Sequence, residues 1–355
     1  MNPMNRINPM SPMRKAILPL ALLTALAVTG CTAGGAPGTP ASDDKPAKAA
    51  ATASGGHPFT LDNCGTEVTY PAAPKRVVTL NQTAAEILVH LGVGDRIVGT
   101  GYEVEKPPAD IAAQYGRIPV LSAPGQEIKH EKLLEAQPDF VYGSFASMFT
   151  AEQSGDRGQL HRLGVPTYLT EFDCSFHESV RGADFDLLFE EYRRLGRIMG
   201  VPAAGEKLAR EQRALVDRAV RTVRKRSEPL KVMWFYSTYE GTPWAAGPGG
   251  LPQHMSDILG VRNVFEDAKT KWAEVSWDEV AARNPDVVIL ADLTRGEPHD
   301  TAREKIALLK KDPLTRGLAA VEGDRFITVP GSHMDPSYGS ASAVPVLADG
   351  LARLG

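Results

Sequence analysis

The chain has 355 residues, 43% apolar and 23% charged, with a formal charge of -4. That length accommodates two domains, and the composition is ordinary for a globular protein. The acidic balance excludes a nucleic-acid partner, which needs a basic face; the one basic cluster, Arg221 to Arg226, falls at a predicted helix end, where bases suit the dipole.

The first thirty residues read as an address. Arg14 and Lys15 precede Ala16 to Val28, an apolar run of thirteen that is too short to span a bilayer. Val28-Thr29-Gly30-Cys31 resembles the lipobox of bacterial lipoproteins, where the Cys becomes the lipidated first residue. Removing this leader takes Arg6, Arg14 and Lys15 with it and leaves a mature charge of -7. After Cys31, residues up to 56 are Ala, Gly, Pro, Ser, Thr and Lys with Asp43 and Asp44, without hydrophobic period, so 31–56 reads as a flexible tether. Cys64 and Cys174 remain. Outside the cytoplasm such a pair is expected to form a disulfide, the alternative being two buried thiols.

From 57 to 182 short apolar runs alternate with helical patterns. Val77-Val78-Thr79-Leu80 is a buried strand, and Asn81-Gln82-Thr83 is placed to cap a helix with Ala84, Ile87, Leu88 and Leu91 inward. Further strands follow at Ile97 to Thr100, Val120-Leu121, Phe140 to Tyr142 and Tyr168 to Thr170, with a helix over His130 to Ala136. Residues 183–228 form a helical connection. Phe185, Leu188, Phe189, Tyr192, Leu195 and Met199 make an apolar stripe, Asp184 is placed to cap it, and Gly200 with Pro202 marks a stop or kink before a second run from Ala203. The half from 229 to 355 repeats the plan. Val232 to Tyr236 is a strand, Leu259-Gly260-Val261 ends a helix as Leu91-Gly92-Val93 does, Pro285-Asp286 echoes Pro138-Asp139, and Phe326 to Val329 precedes a last helix over Ala343 to Leu354. The expected fold is α/β: two doubly wound lobes joined by a long helix, with a cleft beyond the strand ends.

Five of the chain's 24 Phe, Tyr and Trp residues fall between Trp234 and Trp244. Period two puts Trp234 and Tyr236 on one face of the strand, while Tyr239 and Trp244 are expected in a loop opening on the cleft. Large amphipathic rings there suit a bulky, partly apolar ligand, with core packing as the alternative. Tyr102, Tyr142, Phe145, Met148, Trp272 and Tyr338 are further candidates. His130-Glu131 and His177-Glu178 begin like zinc-protease signatures, but Leu134 and Arg181 stand where the second His belongs. No resident metal, cofactor or catalytic residue is expected.

Pro74-Lys75-Arg76-Val77-Val78-Thr79-Leu80, running into Thr83-Ala84-Ala85-Glu86-Ile87-Leu88 and Leu91-Gly92-Val93, resembles the periplasmic-binding-protein family for iron-siderophores and vitamin B12. The two Pro-Asp pairs and the helical link agree with it, and the likeness runs from about Phe59 to the end. The resemblance implies the substrate-binding lipoprotein of an ABC importer. Such a protein is anchored to the cell membrane on its extracytoplasmic face, is not an enzyme, and works as a monomer with a permease. It also implies limited hinge closure and one acid per lobe docking onto permease arginines, matched here by Glu86 and Asp257. The expected ligand is a ferric siderophore of the neutral or cationic hydroxamate type, because acids outnumber bases in the loops at the strand ends and Arg295 is the nearest base. A cobalamin or haem binder is the alternative within the class, and a secreted two-lobe enzyme the alternative outside it.

Overall fold

The computed structural model describes residues 56–174, 183–223 and 226–354. The expected leader, Cys31, the tether and His177-Glu178 lie outside these. The chain first makes a hairpin of β1 (Phe59–Asn63) and β2 (Thr66–Tyr70). Its two-residue turn, Cys64-Gly65, has both φ positive (57° and 72°), as a hairpin turn that follows the strand twist requires.

The first lobe is a four-stranded sheet of β3 (Val77–Thr79), β4 (Ile97–Gly99), β5 (Phe140–Gly143) and β6 (Thr167–Leu169), in the order β4-β3-β5-β6 with every pair parallel. Val120 contributes only an isolated bridge to Thr100, not the expected strand. Asn81 is extended before the helix Gln82–His90 but does not cap it by its side chain; its Oδ1 accepts from Ser144 N (3.0 Å), tying the ends of β3 and β5 together.

The connection is two helices, Phe185–Ile198 and Pro202–Thr222, not one. Asp184 caps the first through Leu187 N (2.9 Å). Gly200, at φ 71°, turns the chain back. The helices pack at Gly196 and Gly205, where a Cβ on Gly205 would lie 2.5 Å from Tyr192 O, so only glycine permits that approach.

The second lobe has β7 (Lys231–Tyr239), β8 (Thr242–Ala246), β9 (Arg262–Asn263), β10 (Trp272–Glu274), β11 (Val287–Asp292) and β12 (Phe326–Pro330). β7, β11 and β12 are parallel and β9 runs parallel to β7, but β8 and β10 are antiparallel, so the sheet is mixed. The expected loop holding Tyr239 and Trp244 is instead the β7–β8 hairpin, turning through Glu240 (φ 51°) and Gly241 (φ 83°). The repeated Pro-Asp pairs do the same work in each half. Asp139 accepts from Lys75 N and Arg76 N (both 2.9 Å), and Asp286 accepts from Lys231 N (2.8 Å), so each fixes the start of its lobe's central strand.

Candidate functional site

The two sheets turn the carboxyl ends of their parallel strands toward one another, where ligands bind in open α/β folds. The first lobe brings Ser144 and Phe145 after β5, and Phe172 and Asp173 after β6. The second brings Lys271, Trp272 and Asp335. The space enclosed is about 70 Å³, well below the roughly 300–1,000 Å³ of a site for a drug-sized ligand. Polar contacts at three places hold the lobes this close. Lys271 Nζ pairs with the Asp173 carboxylate and donates to Phe172 O (3.1 Å). Ser332 donates its hydroxyl to Glu105 Oε1, and its N approaches Oε2 at 3.5 Å. Thr294 N donates to Val104 O (3.1 Å).

Beside this space stand two aromatic walls. On the first lobe Tyr102 meets Phe145 edge-on, centroids 6.1 Å apart. Tyr102 is held at φ 48°, a conformation rare for a bulky side chain. On the second lobe Tyr236 packs on Trp272 (5.0 Å) and Tyr239 on Trp244 (5.3 Å, 78°). The Arg295 guanidinium lies 5.7 Å from the Tyr236 ring and 5.5 Å from that of Tyr239. Burial pushes the Tyr102 phenol up to about 12, with Tyr239 reinforcing and Arg295 opposing the shift.

The cations of the cleft are paired. Arg295 donates to Asp300 from Nη2 (2.6 Å) and from Nε (3.2 Å), to Ser237 Oγ (3.1 Å) and to Tyr239 Oη (2.7 Å). The side chains of Arg295 and Asp300 are only 7% and 2% exposed. Lys305 underpins that loop; its fully buried amine donates to Ala291 O (2.6 Å) and Asp300 O, and burial pulls it down to about 8. Burial pushes Asp335 up to about 7, with Lys271 opposing and Asp173 and Glu105 reinforcing the shift. Among the described residues, no group of three or more His, Cys, Asp or Glu is arranged to hold a metal ion.

Tyr102, Phe145, Tyr236, Tyr239, Trp244 and Trp272 therefore come together at the cleft, and five other expectations need correction. Trp234 is 0% exposed and donates its Nε1–H to Ser256 Oγ (2.9 Å), which makes it core. Tyr142 is equally buried, its hydroxyl donating to Glu191 Oε1 (2.6 Å). Tyr338 stacks on His90, away from the aromatic walls. Glu86 is 1% exposed, accepts from Gln82 Nε2 (2.8 Å), and is pushed by burial up to about 8. A carboxyl so placed does not present a charge for docking. Asp257 is exposed on the helix that ends at Gly260. Met148, 1% exposed, also belongs to the core. Cys64 and Cys174 are bonded to each other, with Cα atoms 5.0 Å apart. Sequence reasoning missed Lys271, whose Lys-Thr-Lys surroundings read as a solvated loop, and Ser332, which carries no local signal.

The model of the family described as periplasmic binding protein matches residues 77–332 of this sequence, both lobes and the helices between them. The chain belongs to that family. It is 23% identical to the vitamin B12-binding protein of Vibrio cholerae over 222 residues, 62% of this chain and 72% of that one. It is also 23% identical to the substrate-binding lipoprotein YvrC of Bacillus subtilis over 239 residues, 66% of this chain and 69% of the relative. Among solved structures, the ABC-type Fe3+-hydroxamate transport system protein from Saccharomonospora viridis superposes with a TM-score of 0.70. It is 22% identical and covers 83% of this chain and 99% of its own. In the periplasmic-binding-protein fold the interlobe cleft is thus built here from Tyr102 and Phe145 on one side and the β7–β8 hairpin with β10 on the other.

Proposed function

We infer that this chain is the substrate-binding component of an ABC importer, carried outside the cell membrane by lipid on Cys31 and acting as a monomer. It captures a ferric siderophore in the interlobe cleft and delivers it to a permease, with Asp257 as the docking acid of the second lobe. The observation that carries the ligand class is the pairing of the cleft's cations. Arg295 is neutralised by Asp300 and Lys271 by Asp173. A buried polyanion needs unpaired bases to offset its desolvation. A neutral or cationic chelate needs none and gains from the rings by apolar contact and cation–π attraction. That fits a ferric hydroxamate better than a ferric catecholate. The cavity's size requires the lobes to part for any such ligand, and paired charges across the cleft supply contacts that can separate and re-form.

The similarity to vitamin B12-binding proteins supports cobalamin as the second reading, another bulky ligand without a large negative charge. Titration followed by tryptophan fluorescence distinguishes these, because Trp272 borders the cavity. The probes are a ferric trihydroxamate, a ferric tris-catecholate, cobalamin and haem. The trihydroxamate is expected to bind at least tenfold more tightly than the catecholate, about 1.4 kcal/mol. Tighter catecholate binding with strong salt dependence would overturn the ligand class, and turnover of any probe would overturn the binding role.

A further inference from the structure

Among the described residues, Asp173 and Lys271 form the one carboxylate–ammonium pair between the lobes. Asp173 sits on the short turn Glu171–Asp173 that follows β6. Its Oδ2 accepts from Ala146 N (2.7 Å), which leaves Oδ1 for Lys271. Both flanks of this turn are tied to a single corner of the β1–β2 hairpin. On the near side, the Asn63 side chain donates to Leu169 O (2.8 Å) and accepts from Leu169 N (2.9 Å). On the far side, Cys174 is bonded to Cys64, the residue after Asn63. Glu171, within the turn, pairs with Arg194 of the hinge helix Phe185–Ile198.

The choice of residue at the corner is informative. Cys64 lies at φ 57° in a two-residue hairpin turn, a position where Asn, Asp or Gly is strongly favoured. A cysteine there accepts a backbone cost that asparagine would avoid. A cross-link needed only to close a long loop had the extended positions of β1 and β2 open to it. This corner is the place from which a bond reaches the residue following Asp173.

We propose that the Cys64–Cys174 cross-link is a positioning element of the cleft. It holds the Glu171–Asp173 turn so that Asp173 receives Lys271 from the opposite lobe. Reduction then loosens the contact between the lobes before it loosens either lobe. The functional weight of this contact rests on the reading of the cleft as the ligand site, but its test needs no ligand.

Hydrogen–deuterium exchange on the full chain decides it. In the Cys64→Ser/Cys174→Ser double variant, peptides covering residues 268–273 of the second lobe are expected to exchange at least fivefold faster, while Val287–Asp292 in the core of that lobe is unchanged. Asp173→Asn with the disulfide intact is expected to give the same acceleration. A glycine inserted between Asp173 and Cys174 keeps the cross-link and alters only its register; it too is expected to release residues 268–273, and it decides the matter if the double variant unfolds. Exchange that rises only in residues 59–70 and Thr167–Leu169, with residues 268–273 protected as in the wild type, would overturn the proposal. So would an Asp173→Asn variant without effect on residues 268–273. Neither result would touch the identity of the ligand, which the fluorescence titration reads separately.

Discussion

Replacing Asp300 by Ala tests the electrostatic account of the cleft most directly. In the wild type its carboxylate accepts from Arg295 Nε and Nη2, from Ser237 Oγ (3.3 Å) and from Glu297 N (3.2 Å). The substitution leaves a guanidinium that is 7% exposed without its counter-charge. Breaking a buried pair from one side costs about 3–5 kcal/mol, because the remaining charge is desolvated and unpaired. Replacing both partners by apolar residues of similar volume is often neutral. Asp300→Ala is therefore expected to lose about 3–5 kcal/mol in urea unfolding followed by circular dichroism, and Arg295→Met/Asp300→Leu to recover most of it. The single variant also frees one positive charge beside Tyr236 and Tyr239, so the ratio of catecholate to hydroxamate affinity is expected to rise. A loss under about 1 kcal/mol, with unchanged selectivity, would show that water and not Asp300 carries the Arg295 charge, and the argument for a neutral ligand would fall with it.

Two further predictions follow from other parts of the molecule. Burial pushes Glu191 up to about 7, against hydrogen bonds from Thr170 and Tyr142 that favour its charged form. The folded chain thus holds this proton while the unfolded chain has released it, and the wild type should lose stability relative to Glu191→Gln as pH rises from about 4.5 to about 7, with a constant difference above that. Thermal melts of both proteins across that range check it, and a pH-independent difference would refute it. Capture and delivery should separate genetically: Cys31→Ser should release the protein from the membrane fraction and Asp257→Ala should lower uptake, both with ligand affinity intact. A tenfold loss of affinity in the Asp257 variant would place that residue in the binding site instead.

The fold was legible wherever one half of the sequence repeated the other. Leu91-Gly92-Val93 and Leu259-Gly260-Val261 both end helices at a glycine with positive φ, 77° and 64°. Each Pro-Asp pair puts a carboxylate on the strand that starts its lobe. Reading failed where that symmetry breaks. The second sheet carries a hairpin and an antiparallel edge that the first lacks, so Tyr239 and Trp244 reached the cleft on strands and not on a loop. Period two misjudged Trp234 because β7 is covered on both faces over residues 232–235, where alternation carries no inward or outward meaning. Tyr236, at the irregularity between Phe235 and Ser237, is only partly buried, and Tyr239 at the end of the strand is 40% exposed. Glu86 was taken from the family resemblance, which gives a position and not what covers it: the stretch carrying Val104 and Glu105 folds over that helix through Gln82 Oε1 (2.9 and 3.1 Å).

The two ion pairs of the cleft differ in what opening does to them. Arg295 and Asp300 sit five residues apart on one loop of one lobe, so they stay paired whatever the lobes do. Lys271 and Asp173 belong to opposite lobes and must separate. Opening therefore exposes one ammonium with the Asp173 carboxylate facing it, and Asp335 borders the same space. An incoming polyanion would gain a single cation at Lys271 and meet the Asp173 carboxylate beside it. A neutral chelate meets no such opposition and leaves Lys271 and Asp173 free to pair again at the edge of the site. On this account the ligand class and the closing contact are selected by the same charges, and reversing either member, as in Asp173→Lys, should weaken closure and relax ligand selectivity together.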